Sequence, residues 1–284
     1  MKQDSFKRSI AFREFGDPQG STILLCIPGI LETQNSFDRL VTYVEHHQGC
    51  RLITVDLCGR GSSDWLNKGE SYKMSVYLDD LHQLITHIHA THKRQVRKLH
   101  ILGTSMGGIL AMNLASDKML RVKGLILNDV APSISWSSLY KLFGKFDSAA
   151  STAKNKKLSK ANNIDPKLLE HIKMPKHIDI SYRFNLRGIN FYKSISDFDG
   201  PILLLRGEHS DLCSIIDQIE LKQLIKNSSA VEIEGEAHPV SYKPSVLLEI
   251  ANFLDLEKVS QAFCAESLDS EYHKLDLYKK LLLA

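Results

Sequence analysis

Ser105 stands in Gly103-Thr104-Ser105-Met106-Gly107, where an apolar run at 99–102 gives way to a segment of helical spacing. A G-x-S-x-G string between a strand and a helix is the context of a strained turn that carries a serine at its tip. So tight a reversal leaves little room for a Cβ at the flanking glycines. The helix that follows aims its first amides, and the positive end of its dipole, at the hydroxyl. A serine is a weak nucleophile until a base takes its proton, so the pattern asks for a histidine and an orienting carboxylate further along the chain. Among twelve histidines, His238 alone lies in a loop directly after the last expected strand, in AVEIEGEAHPV. His82, His87, His89 and His92 share one expected helix without the H-E-x-x-H arrangement of a zinc site, and no metal is expected there.

Three carboxylates near strand ends compete to orient His238: Asp211, Glu208 and Asp129. Asp211 is the first choice, because the loop after ILLLRGEHSD is long enough to reach back toward the imidazole. Asp129, ending the run LILND, is the runner-up. The backbone N–H of Met106 and that of Ile30, in the loop Pro28-Gly29-Ile30 after another apolar run, are the expected oxyanion donors. Such a set performs two-step acyl transfer to water on a small acyl substrate.

These residues need a scaffold, and the chain has one. Its 284 residues, 43% of them apolar and 24% charged, suffice for one large core. A net charge of +3 is too mild to make nucleic acid the expected partner. The first residues, MKQDSFKRSIAFREFG, lack the apolar core of a signal peptide, and no run approaches the roughly 18 apolar residues of a membrane span. A cytoplasmic protein with no membrane span is expected. Five cysteines without C-x-x-C spacing read as reduced thiols. Oligomeric state is not encoded in any of these features.

Runs at 23–27, 52–55, 99–102, 124–127, 202–205 and 230–233 are strand-length, most of them continuously apolar, as strands buried on both faces are. Segments 37–47, 76–92, 108–116, 215–226 and 245–256 have helical spacing, so strand and helix alternate around a parallel sheet, with an antiparallel edge strand expected at 9–15. The alternation stops between 132 and 196, where no strand-like run is found. The expected organisation is therefore a core of 1–131 and 197–258, an inserted helical cap of 132–196, and a C-terminal helical extension of 259–284. The cap interval carries twelve Lys or Arg against four acidic residues. Arg183 and Arg187, set among Tyr182, Phe184, Phe191 and Tyr192, are its candidates for binding a carboxylate-bearing substrate.

GTSMGG, together with VDLCGRGSSDWL (55–66), LILNDVAP (125–132) and LLLRGEHSDL (203–212), resembles the α/β-hydrolase-fold serine hydrolases with a helical cap, over about 12–256. The chain has Pro28-Gly29 where many relatives have His-Gly, and Ala237-His238 where many have Gly-His. The resemblance implies an α/β/α three-layer sandwich around a mostly parallel eight-stranded sheet, no metal and no organic cofactor. It assigns Ser105, Asp211 and His238 as a triad, with Ile30 and Met106 as oxyanion donors. Esters are the expected substrates; carbon–carbon bond or lactone hydrolysis on the same triad, and a non-catalytic ligand-binding role, remain alternatives. Asp56, Gly59, Arg60 and Gly61 read as structural.

Overall fold

Alternation of apolar side chains decides which way each strand faces. The computed structural model describes residues 8–92, 98–149, 160–172 and 177–258. The first half of the chain forms β1 (Phe12–Gly16), β2 (Thr22–Ile27), α1 (Asp38–Glu45), the short β3 (His47–Gln48), β4 (Cys50–Val55), α2 (Met74–Thr91), β5 (Lys98–Thr104), α3 (Met106–Ser116) and β6 (Val122–Asn128). In β2, Ile23, Leu25 and Ile27 pack with α2 and α3 residues such as Leu81 and Leu110, whereas Leu24 and Cys26 pack with Leu40 of α1 on the other face. Both faces are thus buried, and each such aliphatic side chain contributes about 1.5–3 kcal/mol relative to exposure.

The second half adds β7 (Ser133–Ser135), α4 (Trp136–Ala149), α5 (Pro166–His171), β8 (Arg183–Phe184), β9 (Gly188–Asn190), α6 (Tyr192–Ile195), β10 (Ile202–Gly207), α7 (Ile215–Leu224), β11 (Ser228–Ile233), α8 (Pro244–Leu254) and β12 (Glu257–Lys258). The main sheet has the order β1-β4-β2-β5-β6-β10-β11, parallel throughout except that β1 pairs antiparallel with β4. Helices α1 and α8 cover one face and α2 and α3 the other, giving the three layers. The five expected sheet helices start and end within two residues of their observed bounds.

Two expectations need correction. The main sheet has seven strands among the described residues instead of eight, because β1 alone precedes β2. Segment 132–196, expected to be helical, is not purely so: β7, β9 and β8 form a small antiparallel sheet. Its strands are two or three residues long, and Arg183 and Phe184 are both exposed, so no apolar run marks them. The expected C-terminal helix, with most of the polar tract at 148–163, lies outside the described residues. Cys26, Cys50, Cys58 and Cys213 are unpaired and buried, and burial pushes the thiols of Cys50 and Cys58 up to about 12.

Candidate active site

Ser105 sits between β5 and α3 with φ 52° and ψ −118°, a conformation that costs an L-residue energy and that the surrounding structure must enforce. The enforcement is visible at the flanking glycines. A Cβ on Gly103 would lie 2.3 Å from the Gly107 carbonyl oxygen, and one on Gly107 would lie 2.2 Å from that of Ile27. A larger residue at Gly103 pushes the start of α3 away from β5, and one at Gly107 pushes it away from the end of β2. The Ser105 N–H is bonded to Asn128 O at 3.1 Å, which ties the turn to the end of β6.

His238 arrives in the loop after β11. Its Nδ1 lies 2.8 Å from Asp129 Oδ2 and its Nε2 2.9 Å from Ser105 Oγ. A carboxylate only accepts, so Nδ1 carries the proton and Nε2 is left to accept from the serine hydroxyl. The loop is held by Asn128, whose Nδ2 donates to Val240 O at 2.9 Å and whose Oδ1 accepts from Val240 N at 3.2 Å. Asn128 is fully buried at the end of an apolar strand. A polar residue closing an apolar strand is its signal in the sequence.

The carboxylate beside His238 is that of Asp129, in place of Asp211. Asp129 follows β6 with φ 57°, a left-handed conformation that Asp tolerates better than most residues, and it is fully buried. Its Oδ1 accepts from Gly207 N at 2.9 Å, and its Oδ2 accepts from Ser210 Oγ at 2.7 Å besides the imidazole. Asp211 is turned outward by the same loop. Ser210 Oγ, while donating to Asp129, accepts from the amides of Leu212 and Cys213 at 3.1 and 2.9 Å. That inward turn at Ser210 leaves Asp211 exposed, with Oδ1 3.5 Å from Lys141 Nζ. Glu208 is also turned away, accepting from Gly235 N at 2.9 Å.

Met106 opens α3, so its N–H has no carbonyl one turn back within the helix. Ile30 follows the loop glycine, and the guanidinium of Arg60, itself fully buried, donates through Nη1 to the carbonyls of Gly29 (3.2 Å) and Ile30. In a trans peptide the C=O and N–H point opposite ways, so holding the Gly29 carbonyl fixes the direction of the Ile30 N–H. Arg60 therefore supports the loop, and Asp56 does so one layer below by accepting from Gln34 N and Gln34 Nε2, both at 2.8 Å. Glu32, which the sequence did not single out, accepts from Gly29 N at 2.8 Å. Burial pushes its carboxyl up, against the opposing pull of that amide and of the His238 and Arg60 charges.

A cavity of about 40 Å³ opens beside Ser105, room for a few waters. Ile30, Met106 and Ile109 form its core side, while Leu139, Ile172 and His177 from the insert close it. Arg183 and Arg187 are not among its lining residues, contrary to the expected role. Arg183 is exposed in β8, and Arg187 reaches α7, with Nη2 3.9 Å from Asp217 and Nη1 3.8 Å from Glu220. An arginine so placed answers the carboxylates of its own fold. Among the described residues no group of His, Cys, Asp or Glu side chains is arranged to hold a metal ion, and no helix is long and apolar enough to cross a membrane.

The chain is 24% identical over 274 residues to a 3-hydroxybutyrate-oligomer hydrolase of Cupriavidus necator, covering 85% of this chain and 91% of that protein. It is 22% identical over 255 residues to an sn-1-specific diacylglycerol lipase of Danio rerio, covering 81% and 77%. A crystal structure of an α/β hydrolase from Novosphingobium aromaticivorans superposes with a TM-score of 0.69 at 21% identity, covering 87% of this chain and 94% of that one. The family model described as serine aminopeptidase, S33, matches residues 18–238, a span that runs from the loop before β2 to the histidine beside Ser105. The chain belongs to that family of α/β-hydrolases.

Proposed function

We propose that this hydrolase cleaves carboxylic esters of small to medium acyl groups through an acyl-enzyme on Ser105. The observation that carries the reading is the relay in which Ser105 Oγ, both ring nitrogens of His238 and the buried Asp129 carboxylate stand within 2.9 Å of one another in turn, beside an apolar cavity. Ser105 Oγ attacks the ester carbonyl carbon as its proton passes to His238 Nε2. The tetrahedral oxyanion accepts from the amides of Ile30 and Met106. Collapse breaks the carbon–oxygen bond, and His238 returns the proton to the departing alkoxide. Water then attacks the acyl-enzyme, gives its proton to His238, and releases the acid as Ser105 recovers its hydrogen. Asp129 accepts from Nδ1 throughout, fixing the tautomer and stabilising the imidazolium.

Ester chemistry is supported by the cavity wall, in which no acidic side chain is found among the described residues to receive a substrate ammonium. It is also supported by the lipase among the relatives. The test is steady-state hydrolysis of short-chain p-nitrophenyl esters. Ser105→Ala is expected to lower kcat/KM by roughly three decades or more while the protein still folds. Near-normal turnover in that variant overturns the reading.

A further inference from the structure

Asn162 lies in the turn that leads into α5, 131 residues along the chain from Leu31, yet its Nδ2 donates to the Leu31 carbonyl oxygen at 3.0 Å. The bond reaches the turn 29–32, which carries the Ile30 amide. Within that turn the Glu32 N–H donates to the Gly29 carbonyl at 3.2 Å, and the Gly29 N–H donates to Glu32 Oε2 at 2.8 Å. Arg60 donates to the carbonyls of Gly29 and Ile30. In a trans peptide C=O and N–H point opposite ways, so holding the Leu31 carbonyl aims the Glu32 N–H at Gly29. The Gly29 carbonyl in turn aims the Ile30 N–H.

Asn162 is itself fixed to the core. Gly61 N donates to the Asn162 carbonyl at 2.9 Å, Asn163 Nδ2 to the Gly61 carbonyl at 2.6 Å, and Asp165 N to the Gly59 carbonyl at 2.9 Å. Asp165 is buried and accepts from Tyr72 Oη at 2.6 Å. The same segment continues through α5 to Ile172, which lines the cavity beside Ser105.

We propose that Asn162 is a positioning residue of the Ser105 centre, holding the Leu31 carbonyl so that the turn 29–32 presents the Ile30 amide to the oxyanion. The segment that leads into α5 then completes the catalytic geometry besides walling the cavity. The inference rests on the ester-hydrolase reading above and adds a residue to its machinery. An oxyanion donor acts in the transition state, so a misdirected Ile30 amide is felt in kcat and not in substrate binding.

The test is steady-state hydrolysis of p-nitrophenyl butyrate by the full-length protein. Asn162→Ala is expected to lower kcat roughly tenfold with KM within about twofold, and Asn162→Gln, which keeps an amide donor, should recover part of the loss. The second readout is inhibition by an aliphatic trifluoromethyl ketone. Ser105 Oγ adds to its carbonyl carbon as the hydroxyl proton passes to His238, and the ketone oxygen becomes an oxyanion in the place of the ester's. Its inhibition constant should rise in Asn162→Ala by about the factor that kcat falls. Asn163→Gly is the control: glycine keeps the left-handed backbone there (φ 47°) and removes the bond to Gly61 without touching Leu31, so kcat should stay within about twofold. The inference is overturned by an unchanged kcat in Asn162→Ala, by a loss that falls on KM, by an inhibition constant that does not move with kcat, or by an equal loss in Asn163→Gly. Each of these leaves the ester-hydrolase reading standing, whereas wild-type protein that cleaves no ester removes that reading and the inference with it.

Discussion

The loops leaving β6 and β10 start from paired strands of the same sheet, yet they give their aspartates opposite surroundings. Asp129 is the first residue after β6, fully buried and met by three donors, one of them the imidazole. Asp211 lies further along the loop after β10, exposed and close to a lysine on α4. A carboxylate can hold an imidazolium only where its own charge is stabilised without water, and that requires fixed donors at short range. The length of a loop gives reach; the direction in which hydrogen bonds turn it decides whether that reach is used. Here Ser210 takes the inward position and Asp211 the outward one.

The contrast is broken most sharply by amide substitutions. Asp129→Asn keeps the shape but offers an N–H or a weaker acceptor to His238, and it is expected to lower kcat/KM on esters by roughly 10²–10⁴. Asp211→Asn should stay within about twofold, since an exposed ion pair is worth little. Comparable losses in both, or a loss in Asp211→Asn alone, move the orienting role away from β6. The difference between inward and outward charges sharpens further at Arg60 and Arg187. Arg60→Met frees the Gly29 and Ile30 carbonyls and should cost roughly 10–100-fold in kcat with a much smaller change in KM, since an oxyanion donor acts in the transition state. An equal rise in KM assigns Arg60 to ground-state binding instead. Arg187→Ala, which loosens the β8–β9 hairpin from α7, should alter neither constant by more than about twofold.

The parts of the molecule that were legible and those that were not differ in a physical way. Strands such as 23–27 and 202–205 are apolar on both faces, so each residue independently reports burial, and their helices follow from periodicity. The turn at Ser105 was legible because close backbone approach forces glycines to fixed offsets. In the insert, β8 is two exposed residues, held by pairing with β9 and not by apolar content, and such pairing leaves no periodic trace. The choice between Asp129 and Asp211 was likewise hidden, since it depends on which way one serine hydroxyl turns a loop. Glu32 acts by one hydrogen bond to the amide of Gly29 and Asn128 by two to the backbone of Val240 across the fold, and neither pairing is set by a periodic pattern.

A smaller effect concerns stability within the sheet. His100 lies in β5 with neither ring nitrogen paired, and burial pulls its pKa down to about 4. The unfolded chain, with an ordinary imidazole near 6.5, binds a proton that the folded protein refuses, so stability falls as pH drops from about 6.5 toward 4. His100→Phe should recover roughly 1–3 kcal/mol of that acid-induced loss, read as a smaller difference in denaturation midpoint between pH 8 and pH 5.

The central claim, that Ser105 is a nucleophile activated by His238 and not merely a serine in a ligand pocket, is tested most directly by fluorophosphonate labelling with the modified residue mapped by mass spectrometry. The predicted result is one adduct, on Ser105, formed at least about a thousandfold more slowly in His238→Ala. Folded wild-type protein that takes no adduct on Ser105, or that labels equally fast without His238, contradicts it.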